Sequence, residues 1–178
     1  MAEFIKAFRR MIDHEGGYVN DPDDITGGET YKGVSRKNWP KWEGWNRIDQ
    51  LKQQPDFPAN LDKDNEIHEM IGTFYIDNFW YKMRGDDILN QEIANSIFDC
   101  SVNMGLNHAI SAAQSIIKVK IDGIIGSNTI NALNACNVEL FIVKYALAKI
   151  STYVSIVKKR PTSKKYFYGW VLRALGEN

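Results

Sequence analysis

Between His14 and Ser35 the chain reads HEGGYVNDPDDITGGETYKGVS, and this stretch limits the fold more than any other. Glycines at 16 and 17, Asp21, Asp23 and Asp24 around Pro22, and a second glycine pair at 27 and 28 allow no continuous helix through it. Elsewhere apolar residues return mostly at helical spacing. The expectation is a mainly α fold of the α+β kind, with a small β-hairpin or loop element after the first helix.

Phe4, Ile5, Phe8, Met11 and Ile12 predict a first helix over roughly residues 3 to 14, stopped by Gly16 and Gly17. Turns and a short β excursion follow to residue 35. Residues 36 to 62 carry Trp39, Trp42 and Trp45 among prolines and glycines, and read as short helical turns within an irregular loop. Tryptophans so clustered either stack on sugar faces or pack the loop onto the core. Ile67, Met70, Ile71, Phe74 and Tyr75 predict a helix to about Tyr81, and Ile93, Ala94, Ile97, Phe98 and Val102 another over 91 to 104. The other face of that second helix holds Asn95, Asp99 and Asn103, four apart. Short polar groups in one stripe suit a constricted polar cleft or a buried hydrogen-bond network. Gly105 closes the helix, and Asn107 is placed to cap the next, through about Val119. A tight turn at 122–129 leads into a helix capped by Ser127. Leu140, Val143, Leu147, Ile150, Val154 and Val157 then recur by threes and fours along a long helix, and a tail helix spans 166 to 175.

The length of 178 residues suits a single domain, with a first portion at 1–100 and a C-terminal helical portion at 101–178 packed into the same unit. Basic and acidic residues balance at 22 each, so no net field recommends nucleic acid or a membrane. Cys100 and Cys136 form no disulfide framework, and no apolar run has the look of a membrane span. The opening residues, broken by Lys6, Arg9 and Arg10, read as an amphipathic helix and not a signal-peptide core. Synthesis in the cytoplasm without a signal peptide, no stable membrane insertion and a monomeric chain are the expectations.

Two metal readings fail at named positions. His14-Glu15 opens like H-E-x-x-H, but Tyr18 stands where the second His belongs. Asp21-Pro22-Asp23 opens like a calcium loop, but Thr26 takes the invariant-glycine position and Lys32 that of the bidentate Glu. No metal and no cofactor is expected. What remains is Glu15 with the acidic loop. A solvated acidic face is the ordinary reading of such a charge run. The sharper one is a helix-end carboxyl facing a loop carboxylate across a cleft, the pair that glycoside hydrolysis requires. Asp24 lies nine residues after Glu15 and Thr30 fifteen after; a loop folded back as a hairpin would bring the two carboxyls face to face, with Thr30 able to hold a water.

These residues belong to a wider pattern: EGGYVNDPDD at 15–24, GGETYKGVS from the glycine pair to Ser35, FYIDNFWY at 74–81, FDCSVNMG at 98–105, AAQSII at 112–117, DGIIGSNTINAL at 122–133 and YGWVLR at 168–173. In them the chain resembles the glycoside hydrolase family 108 N-acetylmuramidases, the phage endolysin and secretion activator group, which are lysozyme-like. EGGY is the most specific element; turns like DGIIGSNT also occur in cell-wall binding modules.

The resemblance implies a peptidoglycan hydrolase cutting the β-1,4 bond between N-acetylmuramic acid and N-acetylglucosamine. The family's catalytic Glu falls on Glu15, which would act as general acid. A partly apolar setting would keep it protonated, by analogy with the lysozyme pattern. Asp24 and Thr30 inherit the roles of second carboxylate and water-holding hydroxyl, with Asp21 and Asp23 as alternatives for the former. Carboxyls about 5–5.5 Å apart would give retention and roughly 6.5–9.5 Å inversion; the water-holding Thr points toward inversion. Tyr18, Tyr31, Trp80, Asp99, Asn103 and Gln114 are candidate saccharide contacts, with core packing the competing role for Trp80 and Gln114. Glu29 and Lys32 depart from the family pattern by placing charges beside Thr30. The implied partners are peptidoglycan glycan strands and an export system of holin or secretion type. The competing functions are a catalytically silent peptidoglycan-binding protein and a chitin- or chitosan-cleaving hydrolase.

Overall fold

A computed structural model describes residues 1–12, 15–20 and 28–176. It divides into two compact units, Phe8–Asn78 and a larger one made of Met1–Ala7 with Phe79–Asn178. The expected mainly α class with a small β element is what the described residues form.

Helix α1 runs from Phe4 to Ile12, its first residues in the larger unit and the rest in the smaller. The smaller unit continues with strands β1 (Tyr18–Val19), β2 (Thr30–Tyr31) and β3 (Val34–Ser35), which form an antiparallel sheet in the order β1-β2-β3. Tyr18 pairs with Tyr31 and Val19 with Thr30; Tyr31 pairs in turn with Val34 and Thr30 with Ser35. The β2–β3 connection is only Lys32-Gly33, with φ of 43° and 82°. Both central residues in the left-handed region make a type I′ turn, whose twist matches that of the strands it joins.

Helices α2 (Gly44–Leu51) and α3 (Asn65–Tyr75) complete the smaller unit. Asp64 starts α3 by accepting the Ile67 N–H at 2.9 Å and is held in place by Arg47. Beyond Tyr75 the helix widens into a π segment at Ile76–Trp80. Met11, Tyr31, Val34, Trp45, Ile48 and Ile67 are among the buried side chains of this unit.

In the larger unit, α4 (Gln91–Met104) begins at Asn90, whose side chain accepts the Ile93 N–H, and ends at Gly105 with φ of 89°. Helices α5 (Leu106–Ile117), α6 (Ser127–Ala135), α7 (Val138–Lys159) and α8 (Phe167–Leu175) follow. The rings of Phe4, Trp80 and Phe98 pack edge to face, with centroids 5.8–5.9 Å apart. Tyr145 is buried and donates to the Ala109 carbonyl at 2.9 Å, joining α7 to α5.

Three local expectations are corrected. Ser127 is the first residue of α6, and the Gly126 that precedes it makes no side-chain cap. Asn107 lies inside α5, where its amide occupies the space a Cβ on Gly123 would need. The aliphatic stripe of α7 faces outward at its start: Leu140, Val143 and Leu147 are 52–61% exposed. Its buried face is Phe141, Tyr145, Lys149 and Tyr153, spaced four apart.

Helix α7 is also long and apolar enough to cross a membrane by length and composition alone, which the sequence reading did not anticipate. Only 22% of that apolar window is buried; on its inner face Lys149 is 6% exposed and lies 3.8 Å from Asp99.

Candidate active site

Glu15 is carried to its position by the end of α1: its N–H donates to the Ile12 carbonyl at 3.0 Å. Its half-buried carboxyl lies against the β2–β3 turn. A Cβ on Gly33 would stand 2.7 Å from Glu15 Oε2 and 2.6 Å from the Tyr75 hydroxyl, so only glycine leaves space for both groups. The Tyr75 hydroxyl donates to the Lys32 carbonyl at 2.8 Å, and the Lys32 N–H reaches the Gly17 carbonyl at 3.4 Å. The turn is thus tied on one side to the glycines after Glu15 and on the other to α3.

Beside it, Glu29 is a nearly enclosed carboxylate, its side chain 10% exposed. Arg36 Nε lies 2.9 Å from it, Lys52 Nζ 2.5 Å, and the Tyr18 hydroxyl donates to it at 3.0 Å. Burial and this bond to a carboxylate push the Tyr18 phenol pKa upward. Glu29 therefore acts as a neutralised knot joining β1, the start of β2 and α2. Thr30 follows in β2; its hydroxyl donates to the Gly28 carbonyl at a long 3.4 Å.

Of the residues expected at the site, Glu15, Tyr18, Thr30 and Tyr31 all lie in the smaller unit. Asp24, Asp21 and Asp23 lie outside the described residues. The Tyr31 ring is buried in the core, only 1% exposed, so it has no face to offer a sugar. Its hydroxyl finds no hydrogen-bond partner among the described residues, and burial together with the charges of Asp62 and Asp64 pushes its pKa up to about 12.

Trp80, Asp99, Asn103 and Gln114 belong to the larger unit. Trp80 has no exposed surface and donates its indole N–H to Asp86 at 2.8 Å, so the saccharide role gives way to core packing. Gln114 is corrected in the same way. Its buried amide donates to Asp122, Thr129 and the Ile124 carbonyl and accepts from the N–H groups of Asp122 and Gly123. It is the clamp that closes the DGIIGSNT turn. The Asn95/Asp99/Asn103 stripe resolves toward the hydrogen-bond network. Asn95 is buried and accepts from Gln91. Asp99 takes Arg173 at 2.9 Å and Lys149 at 3.8 Å, and Asn103, which is exposed, donates back to Asp99.

Gly33 and Tyr75 are the neighbours of Glu15 that sequence reasoning passed over. Tyr75 was read only as part of an apolar helix face. For Gly33 the signal was present, since a Lys-Gly pair between two β-prone residues fits a two-residue hairpin turn.

A family model described as glycosyl hydrolase 108 matches residues 8–105, and one described as a predicted peptidoglycan domain matches 108–175. No curated protein matches the chain. Among solved structures, SagA of Brucella abortus is similar in fold: at 23% identity and a TM-score of 0.67, the match covers 96% of this chain and 88% of that one.

Proposed function

This chain belongs to the glycosyl hydrolase 108 family, and we propose that it is a lysozyme-type muramidase that cleaves the β-1,4 bond between N-acetylmuramic acid and N-acetylglucosamine in peptidoglycan. Glu15 is the general acid, giving its proton to the glycosidic oxygen as the bond to the anomeric carbon breaks. Asp24 is the carboxylate that draws a proton from the attacking water, and Thr30 holds that water. A hydroxyl has one donor and two acceptor sites, so Thr30 still has capacity beyond its bond to Gly28. The product would have inverted anomeric configuration.

The observation that supports this most is the seat of Glu15. A half-buried carboxyl at a helix end, backed by Gly33 and Tyr75, is held by its own unit and keeps one edge toward solvent. The peptidoglycan domain over 108–175 supports the choice of polymer. In that domain Gln114 shapes the 122–129 turn, and it supports binding by holding that turn and not by touching sugar.

The test is Glu15→Gln, measured on purified cell walls beside chitin oligosaccharides. Loss of wall clearing with an unchanged far-UV spectrum and melting temperature is expected. Retained lysis would remove Glu15 from its role. Mass spectrometry of the products fixes the bond: reducing-end N-acetylmuramic acid is expected, and reducing-end N-acetylglucosamine would overturn the muramidase reading. Proton NMR of the first-formed anomer decides between inversion and retention.

A further inference from the structure

Three tryptophans lie three residues apart in the smaller unit, and they are not equivalent. Trp45 is buried and donates its indole N–H to the Trp39 carbonyl at 2.8 Å; it packs the loop. Trp39, by contrast, is 37% exposed although its backbone is fixed, because its N–H donates to the Ser35 carbonyl at 2.9 Å. Trp42 is half-buried, its ring laid over Gly44, where a Cβ would approach it to 2.2 Å. Both Trp39 and Trp42 meet Phe74 edge to face, at 4.9 and 5.8 Å between centroids. Together with Asn38, Pro40, Lys41 and Asn78 they line a cavity of about 370 Å³, where the Asn78 amide nitrogen donates to the Phe74 carbonyl at 2.9 Å. It adjoins a second cavity of about 470 Å³, which shares Trp42, Phe74 and Asn78.

We propose that the Trp39–Trp42 cavity is a subsite for a neutral N-acetylhexosamine residue of a glycan strand. The inference rests on the muramidase reading for the identity of the polymer, and on its own geometry for the site. A pyranose ring has an apolar C–H face and a rim of hydroxyls. A pocket that recognises it needs held aromatic rings with amides at their edge. Rings fixed by backbone bonds and by Gly44 lose little conformational freedom when a sugar is seated. Charge restricts the ligand further. Lys41 lines both cavities and, among the described residues, is the one charged residue lining the first, while Glu43, Glu66, Glu69 and Asp77 line the second; this acidic surround favours an uncharged sugar unit in the pocket over an anionic one.

The position is also informative. Phe74, the floor of the cavity, is followed by Tyr75, and their rings stand 5.2 Å apart. Tyr75 is the residue whose hydroxyl meets the space between Gly33 and Glu15. A sugar in the cavity is therefore one aromatic pair away from the general acid, within the same unit.

The experiment uses the full chain carrying Glu15→Gln, so that nothing is consumed, with N-acetylchitotetraose as the probe. Indole N–H resonances are followed during titration. Shifts in the signals of Trp39 and Trp42, with that of buried Trp80 unmoved, are expected. Adding Trp39→Ala should weaken binding roughly five- to tenfold, and Trp39→Phe should restore most of it. A Trp39 signal that stays put at saturation, absence of any binding, or equal affinity with and without the ring overturns the proposal. The two readings fail separately. Oligosaccharide binding that depends on Trp39, in a chain that clears no wall, leaves the subsite standing and removes the hydrolase. Wall clearing and binding that are both indifferent to Trp39 remove the subsite alone.

Discussion

Gly33 stands where its missing side chain is what admits Glu15: a Cβ there would lie 2.7 Å from Glu15 Oε2. The same residue has φ of 82°, a conformation that side chains other than glycine's strain to adopt. Gly33→Ala thus acts twice, once on the turn and once on the carboxyl. The turn should lose about 1 kcal/mol, a fall of roughly 2–4 °C in melting temperature for a chain of this size. Displacement of Glu15, the proposed acid, should lower kcat on cell walls by about tenfold or more, since an error of about 1 Å at a reacting group is costly. A variant that melts lower but cleaves at the wild-type rate would detach Gly33 from the chemistry.

Tyr31 offers a test by pH. Its phenol is buried, has no hydrogen-bond partner among the described residues, and is shifted up to about 12 from an ordinary 10.0. Because the folded chain holds this proton more tightly than the unfolded chain, the associated stability is complete below pH 10.0 and is lost as pH rises toward about 12. Tyr31→Phe removes both the titration and a buried hydroxyl that bonds to none of the described residues. The variant should melt at or above the wild-type temperature at neutral pH, and its advantage should widen above pH 10.0. Calorimetry across that range checks it, and a constant difference at all pH values would contradict it.

Gln114→Ala should be among the costlier single changes in the larger unit. It would leave the N–H groups of Asp122 and Gly123 without their acceptor and Thr129 without its donor. The Asp122 and Gly123 groups are only partly buried and water can reach them, so a combined cost of about 2–3 kcal/mol and a fall of roughly 5–10 °C in melting temperature are expected. Binding to insoluble walls should weaken only in proportion to the unfolded fraction. A selective loss of wall binding in a chain that melts normally would make Gln114 a contact after all.

The helices were legible because their apolar residues recur at helical spacing, and the I′ turn was implicit in Lys32-Gly33. The face of α7 was not. Leu140, Val143 and Leu147 outrank tyrosine and lysine on any hydropathy scale, yet Tyr145, Lys149 and Tyr153 are the ones inside. Tyrosine goes inward when its hydroxyl has an acceptor, and lysine when a carboxylate such as Asp99 awaits it. Both conditions are set by other helices, which a local pattern cannot see. Glu29 was misread for the same reason. Beside Thr30 in sequence it looked like an intruding charge, but Arg36 and Lys52 had already neutralised it from outside the motif. The split among Trp39, Trp42 and Trp45 likewise depends on which ring Phe74 and Gly44 cover.

The Glu29 knot also bears on how this chain can diversify. With Val19 paired to Thr30 and Glu29 gripped from three sides, both ends of the intervening connection are moored. Asp24 is five residues in sequence from Val19 and six from Thr30. For a segment with fixed ends, doubling its length adds only about 0.6 kcal/mol of closure cost. Insertions there would change the reach of Asp24, the proposed second carboxylate, while the register of the sheet and the seat of Glu15 remain as they are. New substrate preferences would then be sought in the length of that connection before the identity of any strand residue.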